Sequence, residues 1–148
     1  MVEAVIFVGI QASGKSTFYL ERFYKTHVRI NLDMLKTRHR EDILLEACLR
    51  ARQSFVVDNT NVTRAERSKY ILLAKPTGFR IMGYYFQTGL AEALERNQNR
   101  ADKEVIPAQG VQARWRQLEL PAYEEGFDEL YSVSIVDGKF IIQEWRDG

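Results

Sequence analysis

The sequence predicts an α/β fold: a mostly parallel sheet of about five strands flanked by helices, with a helical lid and a C-terminal hairpin or edge strand. Three observations carry this reading. Short apolar, β-branched runs alternate with segments of helical periodicity along the chain. A glycine-rich loop joins the first apolar run to the first helical segment. No internal repeat, low-complexity tract or Pro-rich linker breaks the order, and 148 residues suit one domain, 1–148, with its own core.

The first strand is Ala4–Val8, five consecutive apolar residues, as expected of a strand covered on both faces. After the glycine-rich loop, Lys15–Lys25 continues as a helix. Val28–Asn31 is the second strand. Glu41–Arg52 is helical, with Ile43, Leu44, Ala47, Cys48 and Ala51 on one stripe, so the single cysteine reads as a small core residue. Ser54–Asp58 is the third strand and Thr63–Ala74 the next helix; Arg64 and Arg67, one turn apart, face either the ligand or solvent. Arg80–Phe86 is the fourth strand and Gly89–Asn97 the helix after it. Pro107–Leu118 places proline in the first turn of a helix, where its missing N–H costs nothing. On that helix Val111, Trp115 and Leu118 share a core face, and Gln109, Gln112 and Arg116 share one open to the cleft or to solvent. Leu130–Val136 is the fifth strand, and Asp137-Gly138 turns into a final edge strand, Lys139–Trp145.

Bulk composition excludes some classes. Twenty-one basic residues against 20 acidic leave a net charge of +1, which argues against a protein that coats nucleic acid through a broad basic field. Gripping a few phosphates at one end of a sheet remains compatible with it. No apolar run is long enough to span a bilayer and Met1-Val2-Glu3 lacks a signal-peptide start, so no membrane partner and a cytoplasmic location are expected. One cysteine allows no internal disulfide.

The sharpest motif is Gly9 to Ser16, G-I-Q-A-S-G-K-S, a complete GxxxxGKS loop between a buried strand and a helix. Its glycines let backbone N–H groups turn toward a phosphate, and the helix N-terminus adds the positive end of its dipole. Gly9, Gln11, Ala12, Ser13, Gly14, Lys15, Ser16 and Thr17 are therefore placed on a nucleoside triphosphate, with Lys15 reaching the β- and γ-phosphates and the Ser16 hydroxyl on Mg²⁺. The fold expected is that of the P-loop NTPases.

In an open parallel sheet the ligand lies beyond the carboxyl ends of the strands, so the polar residues there carry the chemistry. Asp33 follows the second strand, where a carboxylate can orient a hydroxyl acceptor and take its proton; capping the next turn is the other reading. Lys36, Arg38, His39 and Arg40 form a cationic cluster suited to an acceptor's phosphate, or, for the last two, a solvated face. Asp58 ends the third strand at a Walker-B-like place, toward Mg²⁺. Asn59 follows it where motor ATPases carry a water-activating Glu, which favours transfer to an organic acceptor over hydrolysis. Asn61 either contacts substrate or starts the next helix. The polar stretch from Arg96 through Lys103 to Pro107 has the composition of a lid, about 96–107, in which Arg100 stabilises the transferring phosphoryl group and Arg96 contacts phosphate or solvent. Asn99-Arg100-Ala101-Asp102 is superficially like a guanine-reading motif, but it follows a helical run and does not end a buried strand.

Together, G-I-Q-A-S-G-K-S-T, N-L-D-M-L-K, D-N-T-N and R-N-Q-N-R with V-I-P resemble the phage-type polynucleotide 5′-kinase family, the kinase module of nucleic-acid end-healing enzymes. The resemblance spans about Val5 to Leu118, with the four motifs in order. It implies ATP as donor and Mg²⁺ as cofactor, Lys15 and Ser16 on phosphate and metal, Asp33 as general base toward a 5′-hydroxyl, and Arg100 on the γ-phosphate. Where that family commonly has Arg three residues after the Asp, this chain has Lys36, which keeps the charge and loses the bidentate fork; Arg38 lies nearby as a substitute. Three functions follow in order: a 5′-hydroxyl kinase of RNA or DNA, a kinase of a small hydroxylated metabolite, and a nucleotide-dependent binding or switch module.

Overall fold

A computed structural model describes residues 1–88, 90–99 and 107–146. Six strands, β1 (Glu3–Val8), β2 (Val28–Ile30), β3 (Phe55–Val57), β4 (Arg80–Phe86), β5 (Glu129–Val136) and β6 (Lys139–Glu144), form one sheet in the order β2-β3-β1-β4-β5-β6. The first five run parallel and β6 returns antiparallel to β5 through the Asp137-Gly138 turn. The helices are α1 (Lys15–Arg22), α2 (Leu32–Leu35), α3 (Arg38–Ala51), α4 (Arg64–Ala74), α5 (Leu90–Gln98) and α6 (Ala108–Gln117). Each expected strand and each expected helix outside the lid has a counterpart among the described residues, and α2 is an addition: a single turn too short to leave a periodic signal.

The central strands β1 and β3 are buried on both faces, which is why β1 reads as an unbroken apolar run. Alternate residues serve opposite cores. Ala4, Ile6 and Val8 pack with Leu45 and Cys48 of α3 and Tyr70, Ile71 and Ala74 of α4. Val5 and Phe7 face the other way, into an aromatic cluster with Phe18, Phe23, Tyr84 and Phe86. Phe7 meets Phe18 edge-on at 5.8 Å and Phe86 at 5.0 Å.

Two helix faces differ from expectation. In α3 the buried residues are Glu41, Leu45 and Cys48, spaced i, i+4, i+7, whereas Ile43 is exposed. The helix starts at Arg38, capped by Thr37, and turns a carboxylate inward that a purely apolar stripe does not anticipate. In α6 Val111 is buried as expected, but Trp115 is exposed and Arg114, three residues after Val111, turns inward toward Thr60 and Glu66. Among the described residues, no helix is long and apolar enough to cross a membrane.

Candidate functional site

A cleft of about 690 Å³ opens beyond the carboxyl ends of the parallel strands. The loop from Gln11 to Thr17 lines it, together with Asp33, Arg38, Arg96 and Arg114.

The glycine-rich loop is shaped by steric necessity at two positions. A Cβ on Gly9 would lie 2.9 Å from Ser13 Oγ and 3.0 Å from Phe86 Cβ. Gly14 has φ 96°, which L side chains rarely adopt, and a Cβ there would press on Ile135 and Phe140 of the C-terminal hairpin. Gly14 also caps α1, so the loop feeds directly into a helix N-terminus. Gly9 N–H donates to Thr60 O at 2.9 Å, tying the loop to the segment after β3. Lys15 is buried and donates Nζ to the carbonyls of Gly9 at 3.0 Å and Ile10 at 2.8 Å. Gln11 Oε1 is buried with no hydrogen-bond partner among the described residues.

Ser16 and Asp58 meet. Ser16 Oγ donates to Asp58 Oδ2 at 3.2 Å, although 42 residues separate them. The parallel register makes this possible: Val57 pairs with both Ile6 and Ile30, so β2 and β3 end level while β1 runs two residues further to Val8, and Asp58 follows Val57 at the carboxyl edge of the sheet. The Asp58 side chain is 1% exposed. A hydroxyl and a carboxylate are hard oxygen donors of the kind Mg²⁺ takes, with phosphates and water completing its shell. The pair therefore fits such a cation, and among the described residues no group of three or more His, Cys, Asp or Glu could hold a metal alone.

Arg29 completes this corner, and sequence reasoning missed it. Its Nε donates to Asp58 Oδ2 at 2.9 Å, its Nη2 to Ser16 Oγ at 2.8 Å, and its guanidinium lies 5.9 Å from the Tyr19 ring centre. The available signal was a charged residue between Val28 and Ile30 in a three-residue strand.

At the turn after β2, the two readings of Asp33 separate. Asn31 caps α2, its side chain accepting from Met34 N–H at 2.9 Å, which leaves Asp33 exposed on the cleft wall with the capping role taken. Asn31 Nδ2 also donates to Asp58 O at 2.6 Å. Asn59 Oδ1 accepts from Leu32 N–H at 2.8 Å, so the segment after β3 holds the turn that carries Asp33.

Of the cationic cluster, Arg38 lines the cleft and Lys36 is not among the lining residues. Lys36 is the exposed residue that ends α2, at φ 76°. Arg40 Nη1 donates to Leu35 O, so its side chain folds back on its own loop, and His39 is exposed. Arg38 Nη1 donates to Glu41 and, at 3.4 Å, to Tyr70 OH.

Asn61 is a correction. It is 1% exposed, adopts φ 46°, and donates Nδ2 to Phe7 O at 2.9 Å. Its amide bonds the backbone of β1 and so belongs to the scaffold rather than to a substrate. Arg67 is also buried: its Nη1 donates to Asn61 O at 2.9 Å and its Nε to Glu125 at 2.8 Å. Arg64 instead lies on the surface with Glu124.

On the lid side, Arg96 lines the cleft, with a loose 3.9 Å contact to Glu92, and its Nη1 is buried without a hydrogen-bond partner among the described residues. Arg100 and 100–106 of the expected lid lie outside the described residues. Arg114, which the sequence reading passed over in favour of Gln109, Gln112 and Arg116, donates to Thr60 Oγ1 at 2.6 Å and Glu66 at 2.6 Å and lines the cleft. Its spacing from Val111 was the available signal.

The site has one strongly coupled buried cluster. Glu41 is fully buried and accepts from Lys69 Nζ, Tyr70 OH, Arg38 Nη1 and Asn59 Nδ2. Burial alone would push its carboxyl up, but the hydrogen bonds from Lys69, Tyr70 and Arg38 outweigh it and hold the group below the usual glutamate range. The Tyr70 hydroxyl is pushed up to about 12 by burial and by the adjacent Glu41 charge. Glu66 is likewise held low: burial opposes this, and Arg114 and Thr63 prevail.

Known proteins give this geometry a context. The chain is 28% identical over 137 residues to the bifunctional polynucleotide phosphatase/kinase of Schizosaccharomyces pombe, covering 88% of this chain and 33% of that protein. It thus spans about a third of the length of that relative. Among solved structures, the AvrRxo1-ORF1:-ORF2 complex with ATP superposes with a TM-score of 0.72 at 16% identity, over 96% of this chain and 57% of that one. A gluconokinase from Sinorhizobium meliloti 1021 superposes at 0.62 and 19% identity, over 89% and 82%. At these identities the superpositions speak for the fold, an α/β P-loop architecture. A family model described as AAA domain (AAA_33) matches residues 5–121, and the chain belongs to that P-loop family.

Proposed function

We propose that this protein is an ATP- and Mg²⁺-dependent kinase that transfers the γ-phosphoryl group to a hydroxyl, the 5′-hydroxyl of a polynucleotide. The observation that carries the reading is Asp33: an exposed carboxylate that lines the same cleft as the phosphate loop, its capping role taken by Asn31. The polynucleotide acceptor rests on the four sequence motifs and on the name of the relative in Schizosaccharomyces pombe.

In this reading the backbone N–H groups of the loop, Lys15 and the start of α1 hold the triphosphate, and Gln11 to Thr17 surround it. Ser16 and Asp58 hold Mg²⁺, which when bound draws charge from the β- and γ-phosphate oxygens. Asp33 accepts the proton of the acceptor hydroxyl as its oxygen bonds to the γ-phosphorus and the bond to the β-phosphate oxygen breaks, releasing ADP. Arg96 and Arg100 stabilise charge on the transferring group. Arg38 takes the acceptor's neighbouring phosphate, a role Lys36 is poorly placed to share. The location of Lys36 outside the cleft lining favours one second reading, a small hydroxylated metabolite as acceptor.

The test is transfer of label from γ-labelled ATP with Mg²⁺ to 5′-hydroxyl RNA and DNA oligonucleotides, beside a panel of sugars and nucleosides. Label on oligonucleotides supports the first reading. Label on a metabolite alone replaces it with the second.

A further inference from the structure

Glu41 is a buried charge for which the proposed reaction has no use. Its side chain is 0% exposed, and it sits on α3, where a leucine would fill the same stripe with Leu45 and Cys48. A carboxylate is expensive to bury unless every lone pair is satisfied, and here four side chains converge on it. Two of them, Lys69 and Tyr70, come from α4 and do not line the cleft. The other two, Arg38 and Asn59, do line it.

Each of these two arms ends at the acceptor wall. Arg38 gives one nitrogen, Nη1, to Glu41 and Tyr70, which fixes the guanidinium plane. Its Nε and Nη2 make no hydrogen bond among the described residues, and Arg38 and Asp33 line the same cleft. Asn59 donates Nδ2 to Glu41 at 2.9 Å, and its Oδ1 accepts from the N–H of Leu32 at 2.8 Å. An ionised carboxylate only accepts, so it decides which end of the Asn59 amide faces it. The opposite end must then be the acceptor that pins Leu32, the residue before Asp33.

We propose that Glu41 is the positioning residue of the acceptor half of the site, aiming Arg38 directly and Asp33 through Asn59, while touching neither nucleotide nor acceptor. This rests on the reading that Asp33 and Arg38 serve the acceptor. None of the four partners of Glu41 belongs to the phosphate loop, so nucleotide binding is independent of it.

Glu41→Gln is compared with Lys69→Met, which disturbs the same carboxylate from the side away from the cleft. Glu41→Gln should lower kcat by about 30-fold and raise the acceptor KM several-fold, as expected of a small misplacement of a reacting group, with the affinity for a fluorescent ATP analogue within about twofold of the parent. Lys69→Met should change each by less than about threefold, Lys being partly exposed and also paired with Asp42. Hydrogen exchange adds a readout independent of turnover: the peptide containing residues 32–35 should exchange faster in Glu41→Gln and unchanged in Lys69→Met.

Parent-like kcat and parent-like exchange at 32–35 in Glu41→Gln overturn the proposal. So does an equal loss of nucleotide affinity, or matching behaviour of the two variants. Should Glu41→Gln fail to fold, Asn59→Leu removes the whole Asn59 link between Glu41 and Leu32 while leaving Arg38 on Glu41, and must still speed exchange at 32–35 and lower kcat. If the parent transfers label to no acceptor, the function proposed above fails, and the exchange comparison alone decides whether Glu41 positions this wall.

Discussion

Arg29 donates its Nε to Asp58 Oδ2 at 2.9 Å, and the same guanidinium reaches Ser16 Oγ at 2.8 Å. A protein cation thus sits on both oxygens that fit Mg²⁺. Arg29→Met leaves the buried Asp58 carboxylate with fewer donors. The variant should lose about 1–3 kcal/mol in EDTA, the range for hydrogen bonds to a charged group. Mg²⁺ with nucleotide should then stabilise it more than it stabilises the parent. Thermal melts with and without Mg²⁺ check this; equal metal-dependent gains contradict it.

Asp33 is solvent-facing and caps nothing, so its loss should leave the fold intact. Asp33→Asn should bind an ATP analogue as the parent does and lose about 10²–10⁴-fold in transfer, the usual range for a general base. Transfer at the parent rate would remove Asp33 from the mechanism.

Arg67 is a buried anchor, 0% exposed, holding Glu125 and the carbonyl of Asn61. Arg67→Met strands a carboxylate that is 6% exposed and should cost about 3–5 kcal/mol in urea unfolding. A loss below about 1 kcal/mol would mean that Glu125 finds water or another partner.

Acid should unfold the protein partly through Glu41. Its folded carboxyl lies below the ordinary value of 4.5, so the unfolded chain binds the proton more tightly. The stabilisation is complete above that ordinary value and is lost as pH falls through it toward the lowered one. Glu66 acts in the same direction. Unfolding free energy measured from pH 7 to pH 3 should therefore fall less steeply in Glu41→Gln than in the parent. Identical slopes would contradict the assignment.

The sheet was legible because β1 and β3 are covered on both faces and show it as apolar runs, and because the glycine-rich loop marks where β1 meets α1. Gln11 to Thr17 were found from the glycine-rich motif, Asp33 and Asp58 from their places at strand ends, Arg38 from its cationic cluster and Arg96 from the polar composition of the expected lid, and these residues line one cleft. The misses share a physical cause. Arg29, Glu41, Arg67 and Arg114 are charged residues turned inward, each held in part by a partner at least 29 residues away, as with Arg29 and Asp58 or Glu41 and Tyr70. Periodicity treats charge as exposure, so such networks become visible only when the topology brings the partners together. Asn61 erred the other way: the last residue of D-N-T-N was read as contacting substrate or starting the next helix, whereas its left-handed backbone and its bond to Phe7 O make it part of the frame.

The central claim is that this cleft passes a phosphoryl group from ATP to a hydroxyl at a nucleic-acid 5′ end. A single-turnover assay tests it, using γ-labelled ATP, Mg²⁺ and matched oligonucleotides that carry either a 5′-hydroxyl or a 5′-phosphate. The account predicts label on the 5′-hydroxyl strand alone, and its loss in Asp33→Asn. Label appearing only as inorganic phosphate, or equally on both strands, would contradict it.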